Sequence, residues 1–148
     1  MIVNGVKEMK ILIIHAEKMW WKVTKPVRIS LKDEIKSKNK ENGGENILVA
    51  FTCVEREDED RLKEKVSRAT DDLVDVAGRV KVDEIILYPY AHLSDHLSKA
   101  SSALRALKLL EKRLEEKGIR VKRAPFGYYK EFMLHCKGHP LSESLRVI

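Results

Sequence analysis

The chain has 148 residues, 43% apolar and 35% charged, with 29 Lys and Arg against 23 Asp and Glu for a formal net charge of +6. That length supports one well-buried domain rather than two, and no run approaches the ~20 apolar residues that cross a bilayer. Two cysteines, Cys53 and Cys136, are too few for a disulfide framework and fit reduced thiols in a cytoplasmic setting.

The first eight residues lack a basic segment followed by a long apolar one, so they read as an N-terminal extension (1–8) and not as a signal peptide. Lys10–His15 is a short β-branched run that predicts a buried strand. After Ala16-Glu17, Lys18–Thr24 is expected to return as the second strand of a hairpin. Trp20 and Trp21 then point to opposite faces, one into the core and one over an edge. Residues 32–46 are nearly free of apolar side chains and carry Asn-Gly-Gly, which predicts a mobile surface loop whose four Lys are matched by four acids.

Ile47–Val54 is a near-continuous apolar run and predicts a central strand in which Cys53 is a small core residue. Acidic residues at 55–60 suit the first turn of a helix, and Leu62, Val66, Ala69, Leu73, Val76, Ala77 and Val80 recur at helical spacing. Asp83–Tyr90 predicts the next strand, ended by Pro89. A loop over 91–96 leads into a second amphipathic helix from about Ser98 to Lys117, with Gly118 placed to end it. Ile119–Arg123 and Lys130–Lys137 read as strands, and Leu141–Ile148 as one short element. Two β-α-β crossovers between an N-terminal and a C-terminal hairpin predict an α/β domain with a layered mixed β-sheet and two main helices. Neither Gly-x-Gly-x-x-Gly nor a Walker lysine loop is present, so a nucleotide-phosphate loop is not supported.

Residues 124–143 hold the densest run of potential chemistry. Pro125 and Gly127 suit a tight loop that presents backbone N–H groups and delivers Lys130 onto a strand. There the ammonium could hold a carbonyl oxygen or a phosphate, or be one solvated Lys among many. His92, at the carboxyl end of an apolar strand, sits where α/β folds build sites, and could equally cap the next helix. His96 reads as a surface residue. His135, Cys136 and His139 invite a metal, but strand neighbours face opposite ways and no second Cys/His pair has a suitable spacing, so no metal or other cofactor is expected. Glu143 reaches Lys130 or His92 only if Gly138–Pro140 folds the tail back.

Three separated segments carry a resemblance. Tyr-Pro-Tyr-Ala-His-Leu-Ser at 88–94, Ala-Pro-Phe-Gly-Tyr-Tyr-Lys at 124–130 and Cys-Lys-Gly-His-Pro-Leu-Ser-Glu at 136–143 resemble the N-terminal editing domain of archaeal threonyl-tRNA synthetases. Ile-Leu-Ile-Ile-His at 11–15 and Leu-Val-Ala-Phe-Thr-Cys-Val-Glu at 48–55 fit its first and third strands. The similarity runs from Met9 to about Arg146.

The resemblance implies a single editing domain over 1–148 with a fold like that of D-aminoacyl-tRNA deacylases, usually homodimeric. It implies hydrolysis of the ester of L-seryl-tRNA(Thr), with the tRNA 3′ end carrying serine and the rest of the synthetase, in cis or in trans, as partners. Such editing is needed because one missing methylene is worth only ~1–3 kcal/mol to a binding pocket. Carried over, the residues around the ester are Lys130, His92, Tyr129 and Glu143, with backbone at Pro89, Ala91 and Phe126 lining the pocket beside the Gly127 turn. The implied mechanism uses a water assisted by the 2′-OH of the terminal adenosine, and no Cys136 nucleophile. Ala16-Glu17 departs from the family's small polar residue and Asp, and Met19-Trp20-Trp21 is bulkier than expected. General D-aminoacyl-tRNA deacylation ranks second, because the bacterial-type Ser-Gln-x-Thr-Leu and Asn-Ser-Gly-Pro motifs are missing. A non-catalytic tRNA-binding appendage is the third reading.

Overall fold

The computed structural model describes residues 8–148. Apart from Glu8, the expected N-terminal extension lies outside the described residues.

Strand β1 (Lys10–Pro26) is the axis of the fold. The hairpin expected at Ala16-Glu17 does not form. Ala-Glu supplies none of the Gly or Asn chemistry of a two-residue hairpin turn, and the chain runs on as one 17-residue strand. Its pairing register slips between Ala16 and Lys18, a bulge at Glu17. Beyond it, Trp21 is fully buried with Nε1 donating to the Asn39 carbonyl, while Trp20 is half-buried and donates to Glu41.

Strand β2 (Glu41–Cys53) runs antiparallel to β1 over nearly its whole length. Residues 41–46, read as part of a loop, belong to this strand, and a single helical turn α1 (Ser37–Lys40) precedes it. The Gly-Gly pair serves close strand approach instead of loop mobility: a Cβ on Gly43 would strike the Met19 carbonyl and the Trp20 backbone.

A 3-10 segment (Arg56–Arg61) leads into α2 (Leu62–Val80), which returns the chain to β3 (Glu84–Pro89), parallel to β2. Helix α3 (Ala100–Glu116) then crosses to β4 (Arg120–Arg123), parallel to β3. Both crossovers match the sequence reading. The C-terminal hairpin expected between 119–123 and 130–137 does not form, since β4 pairs with β3 and the strand over Tyr128–Cys136 with β1. Strands β5 (Tyr128–Cys136) and β6 (Glu143–Val147) each pair antiparallel with β1, along Ala16–Pro26 and Lys10–Ile14 respectively. A long β1 offers two consecutive docking lengths, and each C-terminal strand takes one. The result is a six-stranded mixed sheet in a mixed α/β fold, ordered β4-β3-β2-β1-β5 with β6 also on β1.

Alternation along the strands splits the interior in two. Ile11, Ile13, Leu48, Ala50, Ile85 and Leu87 face α2 and α3, where they meet Val66, Leu73, Leu110 and Leu114. Ile14, Met19, Trp21, Val49, Phe51, Ile86 and Tyr88 form the second cluster on the other face. Helices α2 and α3 lie on the first face, and the candidate site is on the second.

Candidate functional site

Strand β3 ends at Tyr88-Pro89. The Tyr90 N–H still bonds the Thr52 carbonyl at 2.9 Å, which holds the chain to β2 before the short 3-10 turn Ala91–Leu93 lifts away. Tyr88 is buried and Tyr90 half-buried. Both rings pack on Phe51, at centroid distances of 5.3 and 4.9 Å, and Phe132 of β5 closes on Phe51 and Tyr88 at 5.7 and 5.4 Å. Such tilted packing is favourable for aromatic quadrupoles. His92 stands exposed at the edge, its ring 5.0 Å from that of Tyr90.

The facing wall is the 124–128 loop. Ala124 donates to the Leu87 carbonyl at 2.9 Å, so the loop begins as a continuation of β4 alongside β3. Gly127 takes φ +93, as the sequence required, and the Lys32 side chain lies where its Cβ would be. Asp33 holds the loop. Its carboxylate accepts from the Phe126 N–H at 2.8 Å and from Arg123 at 2.5 Å, its N–H donates to the Phe126 carbonyl at 3.0 Å, and its carbonyl accepts from the Tyr128 hydroxyl at 2.9 Å. Both backbone groups of Phe126 are therefore engaged with Asp33.

Lys130 joins the two walls. Nζ donates to the carbonyls of Pro125 and Tyr128, both at 2.9 Å, and lies 5.2 Å from the centroid of the Tyr88 ring. Two carbonyl dipoles and a ring face are a cation site built from neutral groups. Burial pushes the ammonium pKa down to about 8, opposed by the charge of Asp33.

The remaining candidates are placed less closely. Tyr129 is 55% exposed, with the Lys25 ammonium 5.6 Å from its ring centroid, since strand alternation turns it away from Lys130. Glu143 is exposed on β6, opposite Ile14, and no hydrogen bond or ion pair joins it to Lys130 or His92 among the described residues. Pro89 is half-buried and Ala91 exposed; the Ala91 carbonyl accepts from Ser94 N–H and, weakly, from the Cys53 thiol at 4.0 Å. The structure thus brings together Lys130, Tyr88, Phe126 and the 88–92 segment, with Tyr88 and Phe51 buried and Tyr90 and Phe132 partly exposed. Tyr88, Asp33 and Phe132 were not singled out from the sequence. Tyr88 lay inside a recognised motif, whereas Asp33 had no local signal.

Several other polar residues of the 124–143 stretch bond within the fold. His139 Nε2 and His15 Nδ1 are 2.7 Å apart, and the Ser142 hydroxyl closes the 139–142 turn. Cys136 is half-buried and bonds the Ser142 carbonyl at 3.9 Å. His135 is exposed. Cys53, buried beside Glu55, has its thiol pushed up to about 11, chiefly by desolvation, which keeps it unreactive.

Residues 9–148 match the model of the archaea-specific editing domain of threonyl-tRNA synthetase. The threonine–tRNA ligase of Staphylothermus marinus is 48% identical over 141 residues, covering 95% of this chain and 22% of the relative. Those of Thermococcus gammatolerans and Methanopyrus kandleri are 43% and 44% identical over 140 residues, with the same coverage. The chain spans about 22% of the length of these curated relatives.

Proposed function

The chain belongs to the archaea-specific editing domains of threonyl-tRNA synthetase, and from that premise we propose that it proofreads by hydrolysing the ester of mischarged L-seryl-tRNA(Thr). The observation that carries this reading is the Lys130 ammonium, desolvated yet held by two carbonyls and the Tyr88 ring beside the 88–92 segment. A fixed cation in a partly dry setting stabilises an oxyanion as it develops. Among the described residues no Ser hydroxyl or Cys thiol is hydrogen-bonded to a His imidazole: Ser94 and Ser142 meet His96 and His139 only through backbone groups, which favours attack by water over an activated nucleophile.

In this reading the serine ester lies between the 88–92 segment and the 124–128 loop, beside Lys130. Water attacks the ester carbonyl carbon and yields a tetrahedral oxyanion. The bond to the ribose oxygen then breaks, and that oxygen takes a proton, which the neighbouring 2′-OH relays from the attacking water. Lys130 steadies the oxyanion and the substrate. Backbone at Pro89, Ala91, Phe126 and Gly127 shapes the pocket, and His92 borders it. Tyr129 and Glu143 contribute only once substrate or a second protein surface closes the face. In a homodimer that surface comes from the edge formed by β5 and β6, where Phe132, Met133, Leu145 and Val147 are exposed apolar residues. The remaining partners are tRNA(Thr) and the rest of the synthetase, joined in cis or in trans. No described helix is long and apolar enough to cross a membrane, and a tRNA substrate fits a reaction in the cytoplasm.

The test is deacylation of Ser-tRNA(Thr), Thr-tRNA(Thr) and a D-aminoacyl-tRNA side by side. Selective loss of the seryl ester is expected. Loss of the D-aminoacyl ester instead makes the chain a general deacylase, and no hydrolysis of any substrate leaves a tRNA-binding appendage.

A further inference from the structure

A cleft of about 420 Å³ opens at the β4 edge, between α1, α3 and the 33–36 segment. Five cationic residues line it: Lys36 and Lys38 around α1, Lys108 on α3, and Lys122 and Arg123 on β4. Three acids also line it, but their charges are unevenly available. Asp33 and Glu111 are both taken by Arg123, at 2.5 and 2.9 Å. Lys122 donates to the Gly43 carbonyl and has Glu84 at 3.5 Å. Lys36, Lys38 and Lys108 have no ion pair among the described residues, and Glu34 is the one lining acid left to oppose them. The cleft therefore carries excess positive charge on long, flexible side chains, which matches a string of phosphates better than one buried anion.

Its position says which phosphates. Asp33 is shared between cleft and site: one carboxylate oxygen takes both Arg123, on the cleft side, and the Phe126 N–H of the loop that presents Lys130. We propose that this cleft binds the sugar-phosphate backbone of the RNA strand whose 3′ end reaches the Lys130 face. The proposal rests on the editing reading and deepens it, since it separates a phosphate track from the ester-handling residues.

The probe is a labelled RNA stem-loop with a single-stranded CCA end, titrated against the protein between about 50 and 200 mM salt. Lys36→Glu/Lys38→Glu/Lys108→Glu is expected to weaken binding at least tenfold. The slope of log affinity against log salt should flatten by about 2, at roughly 0.7–0.9 for each phosphate the protein no longer neutralises. The Gln triple variant, which adds no repulsion or new charge, moves both quantities the same way. Lys63→Glu/Arg68→Glu/Lys117→Glu makes an equal change in net charge on the helix layer and leaves affinity within twofold. Equal losses in both charge-reversal variants, or unchanged affinity in a folded cleft variant, overturn the proposal. So does a cleft variant that keeps RNA affinity and loses only affinity for inorganic pyrophosphate. Failure of the editing reading looks different: the wild type then binds RNA through the cleft and hydrolyses no ester. If instead the ester is hydrolysed and the cleft variant has the wild-type KM, the cleft alone is excluded.

Discussion

The Lys130 ammonium sits 5.2 Å from the centroid of the Tyr88 ring, while the Pro125 and Tyr128 carbonyls take two of its hydrogens. Because burial holds its pKa at about 8, the cation is lost near the upper end of physiological pH. An oxyanion-stabilising role therefore predicts that kcat/KM, corrected for spontaneous ester hydrolysis, falls as pH rises through about 8. Lys130→Met removes the cation at every pH, lowers kcat on the order of 10²-fold and flattens the profile. A rate that climbs through pH 8 would assign Lys130 the role of a base and end this account.

The same group leaves a signature in stability. Its folded pKa, about 8, lies below the ordinary 10.5. Between those values the unfolded chain holds a proton that the folded one has released, so the group makes stability rise with pH across that window. Below it the buried cation is a constant cost. The difference between wild type and Lys130→Met isolates this contribution from other titrations. Denaturant midpoints across pH 7.5–11 should show the wild type gaining up to about 3 kcal/mol relative to the variant. Parallel curves would mean that Lys130 is solvated.

Tyr88 tests what holds the cation. Tyr88→Phe keeps a ring face and should leave the pH profile in place, whereas Tyr88→Leu removes the quadrupole. A cation–π contact of about 0.5–2 kcal/mol favours the charged form. Its loss moves the alkaline limb to lower pH by roughly 0.4–1.5 units. Identical limbs in the Phe and Leu variants would show that the ring only fills space.

How much of this was legible in the sequence follows the range of the interactions. Helices α2 and α3 repeat every three to four residues, and their apolar stripes read directly. The motifs at 88–94 and 124–130 also read locally, because Pro, Gly and Tyr signal turns and ring packing. The long β1 did not, since Lys18–Thr24 has the same character as an independent strand and a bulge at Glu17 leaves no mark. Gly43-Gly44 looked like part of a mobile loop because close strand approach selects the same residue. Asp33 was lost in a polar segment: its partners Arg123 and Phe126 lie about 90 residues on. The placement of Tyr129 and Glu143 depends on how β5 and β6 divide β1 between them, a register that no local pattern encodes.

Asp33 is open to direct measurement. With one carboxylate accepting from Arg123 and the Phe126 N–H, Asp33→Ala leaves a half-buried guanidinium with only Glu111 and loosens the loop, which keeps only the backbone bonds of residue 33 to Phe126 and Tyr128. A cost of about 2–3 kcal/mol in chemical denaturation is expected. Deacylation should fall with it, because Lys130 hangs from the Pro125 carbonyl of the same loop. Asp33→Asn retains an acceptor for Phe126 and should fall between the two. A variant of wild-type stability and rate would show the loop to be held elsewhere.

The final prediction concerns protons on the scaffold beneath Glu143. The Leu141 N–H donates to His139 Nδ1 at 3.1 Å, so that nitrogen is bare and Nε2 carries the hydrogen. His139 Nε2 then donates across 2.7 Å to His15 Nδ1, which must also be bare. His15 Nε2–H completes the chain at 2.9 Å to the Asn46 side-chain oxygen. One backbone amide thereby dictates two tautomers, both neutral and both Nε2–H. Nitrogen-15 correlation spectra of the imidazoles should show that pattern, and an Nδ1–H form of either ring would break the chain. Asn46 terminates it from φ +48, a conformation Asn tolerates and Ala resists. Asn46→Ala thus removes an acceptor and adds backbone strain together, for about 1–3 kcal/mol. The loss should reach β6, since His15 also pairs with Ser142, next to Glu143, through its backbone N–H. Hydrogen exchange at residues 143–147 should quicken in Asn46→Ala and in His139→Ala alike, while exchange in α2 keeps its wild-type ranking. Unchanged protection in β6 would detach the histidine pair from the strand that carries Glu143.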